Sequence, residues 1–382
     1  MLKQGRLIAA SLTVLLALSL GWVLHGMERE GTSGPAPGTR TATALFEPVT
    51  EAQRKAVVRG LEFLVQNQDP HKGFFRPLYE DGQKARVAVT ALACLSLLAN
   101  GNTDGRGPYA EGVSRGIRYL MRTADLQSVD ELRGYIATPG DDISRMHGHG
   151  YATLALAEAY GMFGENPRAA GSDYSGARLR QHLTAAVRLI ERSQTRQGGW
   201  GYHPESSGDH EGSITVCQLQ ALRSARNAGI TVNPITIKRA TEYLKLSQEP
   251  DGSFAYSLQD RRSSYALTAA AISTLHARGI YDSKELRAGM DYMLRRFERF
   301  LARPAYFYYG AFYAGQSMYH SSNPSHFEQW FTTIRAELLR TQMPDGSWTT
   351  VDDTEEFGRT YCTAMATLIL QLPYGYLPIF QK

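Results

Sequence analysis

Cysteine is scarce in this chain: three residues in 382, Cys94, Cys217 and Cys362. All three fall inside apolar helical runs, which excludes a disulfide framework and reads as buried free thiols. Excess charge is also missing. The 41 Lys and Arg nearly balance the 37 Asp and Glu, for a net of +4, and the charges are dispersed rather than run together. A nucleic-acid partner is therefore not indicated, because there is no basic stripe to follow a phosphate backbone.

Long hydrophobic runs are rare, with one exception. Lys3 and Arg6 precede an uncharged stretch from Leu7 to Met27, 21 residues dominated by Leu, Ala, Ile and Val. That is long enough to cross a bilayer core of about 30 Å. Residues 1–27 are expected to form a transmembrane anchor, and the basic flank puts the N-terminus in the cytoplasm and the remainder on the periplasmic, extracytoplasmic side. A cleaved signal peptide, leaving a secreted protein, is the competing reading. No small-x-small site ends the run, so a retained anchor is favoured. Residues 28–50 are rich in Gly, Thr, Ala and Pro and carry no apolar period, as a flexible linker does.

From residue 51 onward the chain repeats. The clearest copy is RATEYLKLSQEPDGSF, Arg239 to Phe254. Ile237, Ala240, Tyr243 and Leu244 fall on one helical face, and Pro250, Asp251 and Gly252 then stop the helix and turn the chain. Further copies end at Phe75, Trp200 and Trp348, and eroded ones cover Arg115 to Leu126 and Arg287 to Phe297. The Arg115 copy loses the Gln and the glycine turn; the Arg287 copy keeps only the helix. With Gln68, Ala124, Gln194, Gln248, Phe297 and Gln342 taken as equivalent, the steps are 56, 70, 54, 49 and 45 residues, which makes six units.

Each unit has a second half rich in Ala, Leu and small residues, with Thr90, Thr215, Thr268 and Thr363 in register behind their glutamines. A helix with a charged face can border water, whereas one that is apolar nearly all round must be buried. Twelve helices in six hairpins, one amphipathic and one apolar in each, give an all-α fold: an inner ring wrapped by an outer ring, the α/α toroid, over residues 51–382.

The pattern of a basic residue, an aromatic and aliphatic pair, Gln and then Gly-x-Trp or Gly-x-Phe resembles the QW repeat of the squalene and hopene cyclases. The wider group includes the protein prenyltransferase β subunits. Gln194 with Trp200, Gln248 with Phe254 and Gln342 with Trp348 match best. The resemblance implies closure into a ring, with Gln and aromatic tying one outer helix to the next; it says little about chemistry. It points to a bacterial single-toroid type. Two chemical signatures of the family are missing. The residues two before each cysteine are Leu92, Thr215 and Thr360, so the Asp-x-Cys zinc pair of the prenyltransferases is absent. The Asp-x-Asp-Asp acid of the cyclases is absent too. Its nearest approaches, Asp141 with Asp142 and Asp352, Asp353, Glu355 and Glu356, read as helix capping and solvation. The thioester motif of the complement-type relatives, Gly-Cys-Gly-Glu-Gln, does not occur.

Three stretches near the expected N-terminal ends of inner helices carry candidate functional residues. RMHGHGYATLALAEAYG places His147 and His149 two apart between glycines that allow close approach of a ligand or another helix. HPESSGDHEGSIT sets His203, Asp209, His210 and Glu211 ahead of the third inner helix. Acid and imidazole together serve proton transfer or cation binding, while Asp209 or Ser213 as an N-cap is the structural alternative. YFYYGAFYAGQSMYH replaces small residues with rings. Tyr306, Tyr309 and Tyr313 share one helical face, and Tyr308, Phe312 and Tyr319 another; either one face packs outward while the other lines a hollow, or the rings plug the middle of the ring.

The expected ligand-binding residues are thus Tyr306, Tyr308, Tyr309, Phe312 and Tyr313, with Asp209, Glu211, His147 and His149 as catalytic candidates. Gln68, Gln194, Trp200, Gln248, Phe254, Gln342 and Trp348 are structural. No metal or cofactor is expected. The functional expectation is a membrane-tethered toroid that binds an isoprenoid or other apolar ligand without the usual cyclase or prenyltransferase chemistry. Alternatives are an active terpenoid cyclase or prenyltransferase-type enzyme, and a protein- or glycan-binding scaffold.

Overall fold

The computed structural model describes residues 47–78, 85–128, 132–139, 141, 144–164, 175–277, 283–351 and 357–381. The apolar stretch Leu7–Met27 and most of the 28–50 segment lie outside them, as do Asp142, Asp352, Asp353, Glu355 and Glu356. Among the described residues no helix is long and apolar enough to cross a membrane.

Twelve α-helices are present among the described residues, alternating in character along the chain. The even-numbered ones are α2 (Arg86–Ala99), α4 (Arg145–Phe163), α6 (Gly212–Asn227), α8 (Tyr265–Ala277), α10 (Phe307–Tyr319) and α12 (Arg359–Leu370). In α2 and α12 every residue after the first arginine is buried, as a helix apolar on all sides requires. The odd-numbered ones are α1 (Glu51–Gln66), α3 (Ala110–Thr123), α5 (Gly176–Arg192), α7 (Pro234–Leu246), α9 (Lys284–Ala302) and α11 (Pro324–Thr341). These are two-faced: α5 buries Leu179, Leu183, Ala186, Val187 and Ile190 and exposes Arg180 and Arg188. The even helices pack in the order α2, α4, α6, α8, α10, α12, and α12 packs back on α2, so the inner ring is closed. Outside it, α11 meets α1.

Polar side chains fix the joints. The amide nitrogen of Gln194 donates to the carbonyl of Gly198 in its own turn (2.8 Å) and to Thr236 of the next outer helix (2.9 Å). Gln68 does the same with Gly73 and Gly112, and Gln248 with Gly252 and Glu285. Gln342 spans the closure, donating to Gly346 (2.9 Å) and to Ala56 of α1 (2.8 Å). The recurring threonines serve the same joint from inside. Thr90, Thr215, Thr268 and Thr363 accept, through their hydroxyls, the backbone N–H of Phe75, Trp200, Phe254 and Trp348 at 3.0–3.1 Å. Each such bond is worth about 1 kcal/mol net, and more is lost when a buried partner is orphaned.

The turn glycine is required on two counts. Gly346 has φ +88°, and a Cβ there would lie 2.5 Å from the carbonyl oxygen of Arg59 on α1. Gly73, Gly198 and Gly252 stand in the same relation to Arg115, Arg239 and Ala288. The second repeat, expected to have lost this turn, retains it in displaced form. Ala124 pairs with Ile136 as Gln68 pairs with Phe75, and Gly134 (φ +91°) presses on the Ala185 carbonyl of α5. An insertion between Ala124 and Gly134 hides the turn from a fixed spacing.

After α12 two short 3-10 turns, Leu372–Tyr374 and Pro378–Phe380, pack on inner helices, the first on α10 and α12 and the second on α4 and α6. Phe380 meets Phe312 edge to face at 6.1 Å. Glu158 of α4, only 1% exposed, accepts the Ile379 N–H at 3.2 Å and the Ser224 hydroxyl. Burial pushes its carboxyl up to about 7. This end of the inner ring is thereby filled.

Two outcomes are expected from purified protein. Gly346→Ala loses at least about 2 kcal/mol more stability than Gly229→Ala in urea unfolding; both positions have positive φ, but only Gly346 lies against another helix. Glu158 binds its proton more tightly folded than unfolded, so its ionisation costs stability as pH rises from the ordinary carboxylate range through about 7. Glu158→Gln should match the native chain at pH 4 and exceed it by up to about 3 kcal/mol at pH 8.

Candidate functional site

At the opposite end, where the inner helices begin, a cavity of about 360 Å³ remains open. Its walls come from the first turns of the inner helices and the loops before them. Ala88, Val89 and Leu92 of α2, Ala266 and Leu267 of α8, and Tyr309 of α10 form apolar sides, with Tyr151 of α4 and Tyr361 of α12 adding rings. Ser144, His147, Ser213, Tyr202 and Tyr256 bring polar groups to one part of the wall. The inner helices all enter the ring from this side, so one mouth collects side chains that are far apart in sequence.

A hydrogen-bonded array borders the polar part. Glu211 is the N-cap of α6, and its carboxylate accepts the backbone N–H of Ser213 (2.8 Å) and Ile214 (2.7 Å). The Ser213 hydroxyl donates to Glu211 Oε1 at 2.7 Å and lies 2.9 Å from His147 Nε2. Carboxyl, hydroxyl and imidazole therefore form one chain, with His147 Nε2 3.9 Å from Glu211 Oε1. Burial, outweighing the donors from Ser213 and Ile214, pushes Glu211 up to about 7, and burial pulls His147 down to about 4. At neutral pH the imidazole is uncharged and Glu211 is divided between acid and carboxylate. Chemically, the array can give or take a proton and can hydrogen-bond either sense of donor.

The remaining expected residues are distributed as follows. The Asp209 side chain is exposed, and the capping expected of Asp209 or Ser213 falls to Glu211. His210 is buried, with Nδ1 2.9 Å from the Tyr243 hydroxyl. His149 points away from the cavity, because residues two apart on a helix lie about 200° apart. Its Nδ1 accepts the Ile136 N–H at 3.2 Å, so Nε2 carries the proton toward the Ala186 carbonyl at 3.3 Å. This is the joint that threonine makes in the other repeats, with imidazole as the stand-in. Burial holds His149 at about 3, uncharged. The two histidines thus do not converge. Among the described residues no three His, Cys, Asp or Glu side chains gather as a metal site would need. Gly150 serves helix approach: a Cβ there would sit 2.6 Å from Cys217 Sγ of α6.

On α10 the two aromatic faces separate. Tyr306 and Tyr309 line the cavity, and Tyr313 lies one turn below, 4.7 Å from Tyr309, ring edge to face. Burial raises the Tyr309 phenol well above its usual range, so it stays protonated. Tyr308 and Phe312 do not reach the cavity. The Tyr308 hydroxyl donates to the Thr349 carbonyl at 2.7 Å, and Phe312 packs on Phe380.

Tyr151, Tyr202, Tyr256 and Tyr361 were not singled out by the sequence. Part of the signal was available: Tyr202 and Tyr256 each follow the turn aromatic of their repeat, Trp200 and Phe254, by two residues. Their hydroxyls meet at 3.3 Å over the mouth.

No family model matches the chain. Drimenyl diphosphate synthase of Streptantibioticus cattleyicolor is 26% identical over 201 residues, 53% of this chain and 32% of that protein. The chain thus spans about a third of the length of the curated relative it matches. Among solved structures, a variant of the type II terpene cyclase MstE from Scytonema, in complex with its substrate geranylgeranyl dihydroxybenzoate, is similar to it. The TM-score is 0.53 at 16% identity, covering 85% of this chain and 98% of that one. An inactive variant of an α-1,6-mannanase of Salegentibacter with α-1,6-mannotriose aligns at TM-score 0.59 and 8% identity, covering 84% and 99%. Cellobiose 2-epimerase from Bacillus thermoamylovorans aligns at 0.58 and 12%, covering 83% and 98%. At these identities the likeness shows the fold alone: the chain is a helical toroid like that of the terpene cyclases, a shape that carbohydrate enzymes share.

The assignment of His149 to the repeat joint has a direct check. His149→Ala orphans the Ile136 N–H and the Ala186 carbonyl and should cost about 2–4 kcal/mol in urea unfolding. Asp209→Ala, at an exposed position, should change stability by less than about 0.5 kcal/mol.

Proposed function

We propose that this chain holds an isoprenoid or other apolar ligand in the cavity at the open mouth of its toroid, without the usual cyclase or prenyltransferase chemistry. The observation that carries the reading is the composition of that cavity. Tyr151, Tyr309, Tyr361 and Phe357 supply ring surfaces, Ala88, Val89, Leu92 and Leu267 supply aliphatic ones, and the opposite end is filled. Its volume of about 360 Å³ falls at the lower end of the roughly 300–1,000 Å³ typical of small-molecule sites. The MstE likeness supports the ligand class, since that toroid holds a geranylgeranyl compound. The relative from Streptantibioticus cattleyicolor, named for a terpenoid diphosphate, points the same way. The missing Asp-x-Asp-Asp and Asp-x-Cys motifs support the absence of the usual chemistry. The stretch Leu7–Met27 supports tethering to a membrane, with the toroid on the extracytoplasmic side, where lipid ligands are at hand.

A second reading, an active terpenoid cyclase, is favoured by one observation: a buried carboxyl, Glu211, hydrogen-bonded to Ser213 and through it to His147 beside an apolar cavity, where burial raises its affinity for a proton. Product analysis after incubation with squalene distinguishes the two, and the binding reading expects unchanged substrate.

Binding itself is tested by purifying the full chain from membranes in mild detergent and extracting it for lipid mass spectrometry. A polyprenyl or similar apolar lipid should co-purify, and Ala88→Phe, which fills the cavity, should remove it. An empty native chain, or an unchanged lipid in the filled variant, would contradict the proposal.

A further inference from the structure

We infer that the polar corner of the cavity selects the ligand's head group, and that the group selected is a neutral hydroxyl: the site takes a prenyl alcohol in preference to a prenyl diphosphate or a bare hydrocarbon. This rests on the apolar-ligand reading and narrows it.

The cavity is amphipathic in a specific way. On one side of its apolar body stand the Ser213 hydroxyl and the His147 imidazole, linked at 2.9 Å and continued through Ser213 to Glu211 Oε1 at 2.7 Å. Above them the Tyr202 and Tyr256 hydroxyls meet at 3.3 Å, with Tyr202 packed edge-on against His147 at 5.9 Å. Hydroxyls and a neutral imidazole each donate and accept, and so does an alcohol, which can join such an array without leaving a partner unmatched. A bare hydrocarbon would leave these groups facing apolar surface, at a cost.

A diphosphate meets the opposite conditions. None of the described residues lining the cavity is Lys or Arg. Among the described residues, Arg262 forms a fork with Asp260 (3.0 Å to each oxygen from Nε), and Arg145 Nη1 lies 2.9 Å from His203 Nε2. The array itself contains an ionisable acid, Glu211, 3.9 Å from the imidazole, and an added anion there would repel its carboxylate form. A multiply charged ester buried beside it would lose hydration without a matching charge from the described residues of the wall.

The test measures binding of geraniol, farnesol and geranylgeraniol to the full-length detergent-solubilised chain by native mass spectrometry. Each alcohol is compared with its own diphosphate and its parent hydrocarbon. At the chain length that binds best, the alcohol should bind at least tenfold more tightly than either. Ser213→Ala should reduce alcohol binding to the hydrocarbon's level while leaving the hydrocarbon within twofold, and Ser213→Thr, which restores the hydroxyl, should recover the preference. Equal binding of alcohol and hydrocarbon, or tighter binding of the diphosphate, would overturn the inference while leaving apolar binding intact. If no compound of any length binds, the apolar-ligand reading fails and the inference falls with it.

Discussion

The amide of a glutamine, bonded at once to its own turn and to the next outer helix, is the constraint on which the rest of this structure depends. A single hairpin of one amphipathic and one apolar helix cannot bury its apolar member, and only neighbours on both sides can. Gln68, Gln194, Gln248 and Gln342 fix where those neighbours lie, because each satisfies two carbonyls, one in its own turn and one in the following outer helix. The last of them reaches α1, so the bond that propagates the repeat also ends it. Gly346 against Arg59 and Trp348 beside Gly60 make the closing joint as close-fitting as the internal ones.

Closure has two consequences for function. The inner helices start at one end of the ring and finish at the other, so the loops entering them gather at a single mouth. The finishing end is occupied by Ile379 and Phe380, held through Glu158 and Phe312. What remains is a one-ended hollow whose wall is drawn from all six inner helices, with Ser144, His147 and Ser213 at the starts of α4 and α6 among its polar groups. That asymmetry follows from the fold, whereas the aromatic lining and the Glu211–Ser213–His147 array belong to this sequence.

The toroid was legible because its joints use few residue types at nearly constant offsets: Gln, then a turn glycine, then an aromatic, then Thr. Where an offset changed, legibility failed. The insertion before Gly134 concealed the second turn, and His149, doing the work of a threonine, looked instead like half of a catalytic pair with His147. The aromatic faces of α10 could be separated by helical spacing, but spacing could not say which face met the hollow. Tyr309 and Tyr308 are adjacent in sequence and serve a cavity wall and a backbone carbonyl respectively. Glu211 could be noticed as an acid near a helix start. Its proximity to Ser213 and His147 depends on α4 and α6 lying side by side, which no local pattern encodes.

The central claim is that the open mouth, and not the outer surface, holds an apolar ligand. Photocrosslinking of the full-length chain with a diazirine-bearing isoprenoid, followed by peptide mapping, tests it most directly. The account predicts labels concentrated on the cavity wall, at Ala88, Leu267 and Tyr309, and their loss under competition by unlabelled isoprenoid. Labels confined to the outer helices, or insensitive to competition, would contradict it.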